Sequence, residues 1–275
     1  MRLLLFSLIF VYLNVFCQEN YIFIGELILN YENDKSVPYL LNFTKNNENI
    51  VGYSVTDFNG KHETKNVILG TYDSAKELLQ IHETDIIYTF SDYSPLDFCY
   101  VDFEVLIDLS QKDNQIITPF CSHFNDESNC VSGDVLLYQY YQSKPQVIKK
   151  IKKHINVPIV ESSLKKLSNN QKINIKMKQE RTEFLIWDMA REDGDKVNIF
   201  FNGKLLARDY VVTNEKKREI LKLKKGINEI KIVAKNEGRL SPNTTEISVR
   251  NGDENIDIST SLLKGEYTII NLIRE

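Results

Sequence analysis

The fold class of this chain follows from one stretch, Tyr53-Ser-Val-Thr-Asp-Phe-Asn-Gly-Lys-His-Glu-Thr-Lys-Asn-Val-Ile-Leu69. Apolar and polar residues alternate on both sides of Asn59-Gly60, and this alternation is the period of a half-buried β-strand. Asn and Gly both tolerate a positive φ, so the pair predicts a tight turn. The stretch therefore predicts an antiparallel hairpin.

The same alternation recurs at intervals of roughly ten residues through the first half of the chain. Short polar connections between the runs predict a β-meander, and closure into a barrel or a strongly curled sheet would remove exposed sheet edges. A barrel of this size either holds a small ligand or is filled by its own side chains, and the sequence leaves both open. The predicted strands are 21–31, 38–44, 49–58, 64–72, 76–83, 85–91, 97–108, 115–124 and 133–142.

Charge divides the chain near residue 143. Residues 1–143 contain 7 Lys and Arg and 20 Asp and Glu, whereas residues 144–275 contain 27 and 18, so that net charges of −13 and +9 give the total of −4. The length permits two domains. We predict an acidic barrel-like domain at 18–143, a basic linker with the apolar spacing of a short helix at 144–170, and a basic domain at 171–275. We expect the two domains to attract each other, less strongly in high salt.

The basic part also has the pattern of an all-β domain. Nine short apolar runs between residues 173 and 273 predict an immunoglobulin-like β-sandwich. Asn202-Gly203 predicts a second tight hairpin turn. Trp187 is the only tryptophan of the chain, and its large apolar ring is predicted to lie in the core of the sandwich.

The N-terminus has the pattern of a signal peptide at residues 1–17. Arg2 precedes an apolar run at 3–13, and Val15 and Cys17 suit cleavage before Gln18. This predicts a secreted, periplasmic or cell-envelope protein. A lipoprotein acylated at Cys17 and an uncleaved anchor are the alternatives. No later segment is apolar for long enough to span a bilayer, so no transmembrane segment is predicted in the mature chain.

Cleavage there leaves three cysteines, Cys99, Cys121 and Cys130. Export permits disulfides, and an odd number leaves one thiol over. We predict a Cys99–Cys130 disulfide between neighbouring strands. A Cys121–Cys130 bond and three free thiols are the alternatives.

A family resemblance appears in the basic part, in Trp187–Gly203, Lys225–Gly238 and Pro242-Asn-Thr244. These segments resemble the "EDGD…NG…NEG…PNT" β-sandwich module of secreted bacterial proteins. The acidic part, for example Gly52-Tyr-Ser-Val-Thr-Asp57, is similar to uncharacterised exported proteins of the Bacteroidota type. The resemblance implies a secreted β protein, and it transfers no catalytic residue.

Asp188, Asp193 and Asp195 are the candidate metal ligands. Acidic loops of exported sandwiches sometimes supply oxygen ligands to calcium, although the spacing is not that of an EF-hand. The alternative is a tight turn in which Asp and Gly194 serve the backbone. The prediction is therefore no metal, with these three residues as weak calcium candidates.

No catalytic residue and no cofactor are predicted. Cys121 and His123 share a strand face, but a nucleophile and its base usually come from distant segments. The sequence patterns of zinc proteases, serine hydrolases, phosphate-binding loops and dinucleotide sites are absent.

These observations predict a non-enzymatic exported protein that binds or scaffolds in the cell envelope or extracellular space. Its expected partner is an envelope protein or a glycan. Nucleic acid is not expected, because the chain is exported, its pI is near 5.7 and its lysine run has no accompanying recognition motif. The alternatives are a lipocalin-like carrier of a small apolar ligand in the N-terminal domain and an exported hydrolase that uses carboxylates of the acidic half.

Overall fold

A computed structural model describes residues 19–31, 35–92, 98–140, 164–189, 192–252 and 254–275. The described chain is all-β, as predicted, with eighteen strands and no helix. The described residues thus include no helix long and apolar enough to cross a membrane. The predicted signal peptide and the lysine run of the predicted linker lie outside them.

The barrel strands are β1 (Glu19–Leu29), β2 (Ser36–Asn46), β3 (Asn49–Thr56), β4 (Thr64–Asp73), β5 (Leu78–Thr89), β6 (Tyr100–Leu106), β7 (Gln115–His123) and β8 (Asn129–Gln139). The remaining strands are β9 (Leu164–Leu167), β10 (Lys172–Met177), β11 (Arg181–Trp187), β12 (Lys196–Phe201), β13 (Lys204–Val211), β14 (Lys217–Lys222), β15 (Gly226–Ala234), β16 (Asn243–Asn251), β17 (Glu254–Leu262) and β18 (Tyr267–Arg274).

Strands β1 to β8 form a closed, eight-stranded antiparallel barrel. Each strand pairs with the next along the chain, and β1 pairs with β8 from Phe23 opposite Gln139 to Leu29 opposite Gly133. The predicted β-meander and its closure are therefore confirmed. Closure leaves no unpaired edge between the eight strands.

The interior of the barrel contains large side chains from the inward-facing positions of its strands. The rings of Tyr21 and Phe43 stack with centroids 5.3 Å apart, and Phe23 lies 6.0 Å from Phe43. Each of the eight strands contributes to one hydrophobic cluster. Side chains of the barrel's own strands thus fill much of its described interior.

Two inward-facing glycines allow neighbouring strands to approach closely. A Cβ atom at Gly25 would lie 1.9 Å from the main-chain oxygen of Leu136, and one at Gly52 would lie 2.1 Å from that of Asn42. No side chain fits at these distances, so glycine is required for the strong coiling of the small barrel.

The two strands predicted at 76–83 and 85–91 are one strand, β5. Glu83 pairs with Ile68 and Asp85 pairs with Val67, so Thr84 is an extra residue, and a second irregularity follows nearer Tyr88. Such β-bulges shift the inward-facing positions by one residue. This shift explains why the apolar alternation indicated two strands.

The Asn59-Gly60 hairpin is a longer connection than predicted. Strand β3 ends at Thr56 and β4 begins at Thr64, so residues 57–63 form a loop. Asn59 has a positive φ of 59°, as the prediction required, but Asp57 also does, at 52°. The position of the connection was predicted correctly, but its length and its type were wrong, because Gly60 does not have a positive φ.

The nine apolar runs predicted after residue 171 correspond to β10–β18. Together with β9 they form two layers, in the orders β13-β12-β15-β18-β10 and β14-β11-β16-β17-β9, with one hydrophobic core between them. Asn202 and Gly203 have φ values of 49° and 74° and join β12 to β13, which confirms this tight turn. Strand β9 was not predicted.

Trp187 is not in this core. Phe184 and Ile186 of β11 are fully buried within it, whereas Trp187 is half-buried and the ammonium of Lys216 lies 4.3 Å from its ring centroid. The prediction was wrong because strand alternation turns Trp187 to the face opposite Ile186.

The barrel and the second part of the chain share one continuous sheet of thirteen strands. Strand β10 pairs antiparallel with the end of β5, with Asn174 opposite Thr89 and Ile175 opposite Tyr88. Main-chain pairing therefore fixes how the two parts sit against each other.

Ion pairs cross the same junction. The Lys165 ammonium lies 2.8 Å from Glu63 Oε1, which also accepts a hydrogen bond from the Tyr88 hydroxyl at 2.7 Å. The Lys176 ammonium lies 2.7 Å from Asp85 Oδ1. Each pair joins a carboxylate of the barrel to a lysine that follows residue 143 in the chain.

The predicted disulfide joins Cys99 and Cys130, with the two Cα atoms 5.9 Å apart. The pairing is confirmed, but the strands involved are not neighbours, because β7 lies between β6 and β8. The bond links the entry of β6 to the start of β8 across β7. Cys121 remains a free, exposed thiol.

Candidate functional site

A pocket of about 350 Å³ opens at one end of the barrel. Its walls come from the start of β1, the ends of β2 and β4, the β4–β5 turn and the segment after β6. Pairing of successive strands brings these segments together: Glu19 lies opposite Lys45 in the β1–β2 pair, and β6 pairs with β5. The lining residues are Glu19, Tyr21, Lys45, Tyr72, Ser74, Glu77, Asp108, Leu109 and Ser110.

The pocket carries more negative than positive charge. Glu19, Glu77 and Asp108 contribute carboxylates, and Lys45 contributes the one ammonium among the lining residues. The hydroxyl and main-chain N–H of Ser110 donate to Asp108 Oδ1 at 2.6 and 2.9 Å. These bonds lower the pKa of Asp108, so this carboxylate stays ionised near neutral pH.

The two tyrosines of the pocket are held by their hydroxyl groups. Tyr21 donates to Glu19 Oε2 at 2.6 Å, and Tyr72 donates to the main-chain oxygen of Ile107 at 3.1 Å. The Lys45 ammonium lies 5.4 Å from the centroid of the Tyr72 ring. The face of an aromatic ring attracts positive charge, and the Tyr72 ring attracts the Lys45 ammonium in this way.

A second polar cluster lies deeper in the barrel, around the fully buried Glu83. Its carboxylate accepts hydrogen bonds from the Tyr39 hydroxyl at 2.8 Å, Asn66 Nδ2 at 3.0 Å, the Val101 N–H at 2.9 Å and the Ser54 hydroxyl. Burial raises the pKa of Glu83. Four donors from β2, β3, β4 and β6 thus converge on one carboxylate of β5, which fixes these strands relative to one another.

Sequence reasoning missed Glu83, although a signal was present. Glu83 continues the inward-facing positions of Leu79 and Ile81 along β5. A charged residue at such a position is almost never fully buried without partners. The Thr84 bulge that follows hid this pattern.

The structure brings the three calcium candidates to one end of the two-sheet part. Asp188 follows β11, and Asp193 and Asp195 precede β12. Asp188 and Asp195 are buried, and Glu246 of β16, which the sequence did not indicate, is buried beside them. Burial raises the pKa of Asp195 to about 6, and the charges of Asp193 and Asp188 add to the effect.

Hydrogen bonds of two asparagine side chains connect the EDGD, NEG and PNT segments. Asn236 Nδ2 donates to the Gly194 oxygen at 2.9 Å, and Asn236 Oδ1 accepts from the Lys196 N–H at 2.6 Å. Asn243 Nδ2 donates to the oxygens of Asn236 and Lys196 at 3.0 and 3.2 Å. These side chains satisfy main-chain groups of two adjoining loops, which accounts for the residue types without a ligand.

Cys121 and His123 do not pair with each other. Asp102 accepts from both neighbouring histidines, with its carboxylate oxygens 2.7 Å from His123 Nδ1 and 3.0 Å from His82 Nδ1. The Cys121 sulfur instead lies 4.0 Å from the Asp102 main-chain oxygen. The cluster is on the outer surface of β5, β6 and β7, and a β-bulge separates Cys121 from His123.

Within the described ranges, no group of three His, Cys, Asp or Glu side chains is arranged to hold a metal ion. The comparisons with known proteins add no relative: no family model, curated protein or solved structure matches the chain.

Proposed function

We propose that this is an exported, non-enzymatic binding protein that takes a small, positively charged polar ligand at the open end of the barrel. The pocket of about 350 Å³ carries the proposal. Its size falls within the usual range of small-molecule sites, and sites of this kind commonly occur in the mouths of β-barrels.

The lining supports a ligand that combines an ammonium with hydroxyl groups. The carboxylates of Glu19, Glu77 and Asp108 are hydrogen-bond acceptors and attract positive charge. Ser74 and Ser110 are short polar groups that suit sugar hydroxyls. An amino sugar fits this set.

The disulfide supports the exported location, because such bonds persist in oxidising compartments. The proposal includes membership of the Bacteroidota-type exported proteins and an immunoglobulin-like fold for the two-sheet part. Strands β12, β15 and β18 are antiparallel neighbours and β10 runs parallel to β18, which supports that fold.

Glucosamine should bind more tightly than glucose in isothermal titration calorimetry. The two sugars differ only in an ammonium or a hydroxyl at one carbon, so the comparison isolates the charge. Replacing Glu77 by Gln together with Asp108 by Asn should weaken glucosamine binding by about tenfold or more, because two acceptor charges are lost. Added salt should also weaken it.

Asp134→Asn is the matched control, since it removes one carboxylate from the exposed face of β8. This variant should bind glucosamine as the wild type does. Equal affinity for glucose and glucosamine, or no binding of either, would contradict the proposal.

The same preparation tests the two alternatives. Saturable binding of a hydrophobic dye that fatty acids displace, without glucosamine binding, would support an apolar carrier. Turnover of a glycan, ester or peptide substrate that fails in carboxylate variants of the barrel would support a hydrolase.

A further inference from the structure

The loop that contains Asp193 and Asp195 holds two buried carboxylate oxygens that lack a partner. Asp195 Oδ2 accepts from the Thr244 N–H at 2.8 Å, and Asp193 Oδ2 accepts from the Leu240 N–H at 2.9 Å. The other oxygen of each carboxylate is buried and has no hydrogen-bond partner among the described residues. Asp195 is only 1% exposed, so bulk solvent does not reach its carboxylate.

This arrangement costs free energy unless a positive charge is present. An ionised carboxylate is almost never buried without a compensating partner. The acidic neighbours Asp188 and Glu237 increase the negative potential at Asp195 instead of relieving it. In the part of the chain that the structure describes, neither Asp193 nor Asp195 has an ion pair with a lysine or arginine.

The geometry points to a calcium ion bound by Asp193 Oδ1 and Asp195 Oδ1, with main-chain carbonyls and water as the remaining ligands. Calcium takes six to eight oxygen ligands and accepts carbonyls and water readily. No third described side chain joins the two carboxylates. Zinc and other transition metals, which prefer nitrogen and sulfur from several side chains, are therefore disfavoured.

Bound calcium would also strengthen the link between the loop that precedes β12 and the segment that leads into β16. Asp193 and Asp195 already contact the segment at 240–244 through main-chain N–H groups. With few charged ligands, the expected affinity is that of extracellular modules, with a Kd of about 0.1–1 mM.

Thermal unfolding of the whole protein tests this inference. After treatment with EDTA, addition of 10 mM CaCl₂ should raise the melting temperature by about 3–8 °C. An equal concentration of MgCl₂ should have a smaller effect, because Mg²⁺ demands a stricter geometry and loses its water reluctantly. Ionic strength is held constant with NaCl.

The double variant Asp193→Asn/Asp195→Asn should lose the calcium-dependent shift. Asparagine keeps the oxygen that accepts the Leu240 or Thr244 N–H, so the loop can still fold. Asp209→Asn is the control, because it removes an exposed carboxylate at a positive φ that Asn tolerates; its calcium shift should equal that of the wild type.

Calorimetric titration with CaCl₂ supplies a readout that does not depend on stability. The wild type should bind about one ion, and the double variant should bind none. Absence of binding and of a thermal shift at 10 mM CaCl₂ would overturn the inference. An equal shift in the double variant, or an equal shift with MgCl₂, would also overturn it.

Discussion

Replacing Glu83 by Ala is expected to destabilise the protein by about 3–5 kcal/mol. The substitution leaves four converging donors, from Tyr39, Ser54, Asn66 and Val101, without their acceptor inside the barrel. It also leaves a cavity among closely packed side chains. Urea denaturation followed by circular dichroism would measure the loss.

Glu104→Ala is the control for this experiment. Glu104 lies on β6 of the same barrel, but its side chain is exposed, so the change should stay within about 0.5 kcal/mol. Equal, small losses in both variants would show that the Glu83 network does not hold the barrel together.

Glu83 should also contribute a pH dependence. Burial raises its pKa in the folded protein, so the folded state binds this proton more tightly than the unfolded state does. The contribution of Glu83 to stability therefore increases as the pH falls through the folded-state pKa. Because Glu83→Gln cannot titrate, the free energy of unfolding of the wild type should rise relative to that of this variant on acidification. A constant difference would contradict the assignment.

Removal of the disulfide has the second large expected effect. The bond closes a loop with a sequence separation of 31 residues, and cross-linking a loop of this size restricts the unfolded chain by about 3–4 kcal/mol. The double variant Cys99→Ala/Cys130→Ala should lose about this much stability in urea denaturation. Mild reduction of the wild type should produce a similar loss.

Cys121→Ala separates the effect of the bond from the effect of losing a thiol. Cys121 is exposed and free, so its replacement should leave the midpoint of unfolding nearly unchanged. If Cys121→Ala and the double variant behaved alike, the disulfide would have no stabilising role.

The strands after residue 171 were predictable because their signals are local. Each short apolar run corresponds to a strand, and Asn202-Gly203 forms the turn that its residue types require. The Asn59-Gly60 turn shows the limit of local signals. There the chain continues to Glu63, whose carboxylate accepts the Asn59 N–H at 2.7 Å and pairs with Lys165. The loop thus contains a residue whose ion-pair partner lies 102 residues away, and no local pattern indicates such a contact.

The two candidate sites differ in how far the sequence indicates them, because only one of them is built from residues that are close together in the chain. Asp193 and Asp195 lie close together in the sequence, so the pattern indicated them. The barrel pocket draws on Glu19, Lys45 and Asp108. Glu19 lies opposite Lys45 in the β1–β2 pair, whereas Asp108 follows β6 and reaches the pocket through the pairing of β5 with β6. No short pattern in the sequence marks such a set of residues.

A glucosamine titration followed by amide chemical shifts in the ¹⁵N-labelled protein tests the proposed binding site most directly. We expect saturable shifts concentrated at the pocket, in the amides of Glu19, Lys45, Glu77 and Asp108, and far smaller shifts with glucose. Shifts that are absent, equal for the two sugars, or centred elsewhere on the protein would contradict the proposed binding site.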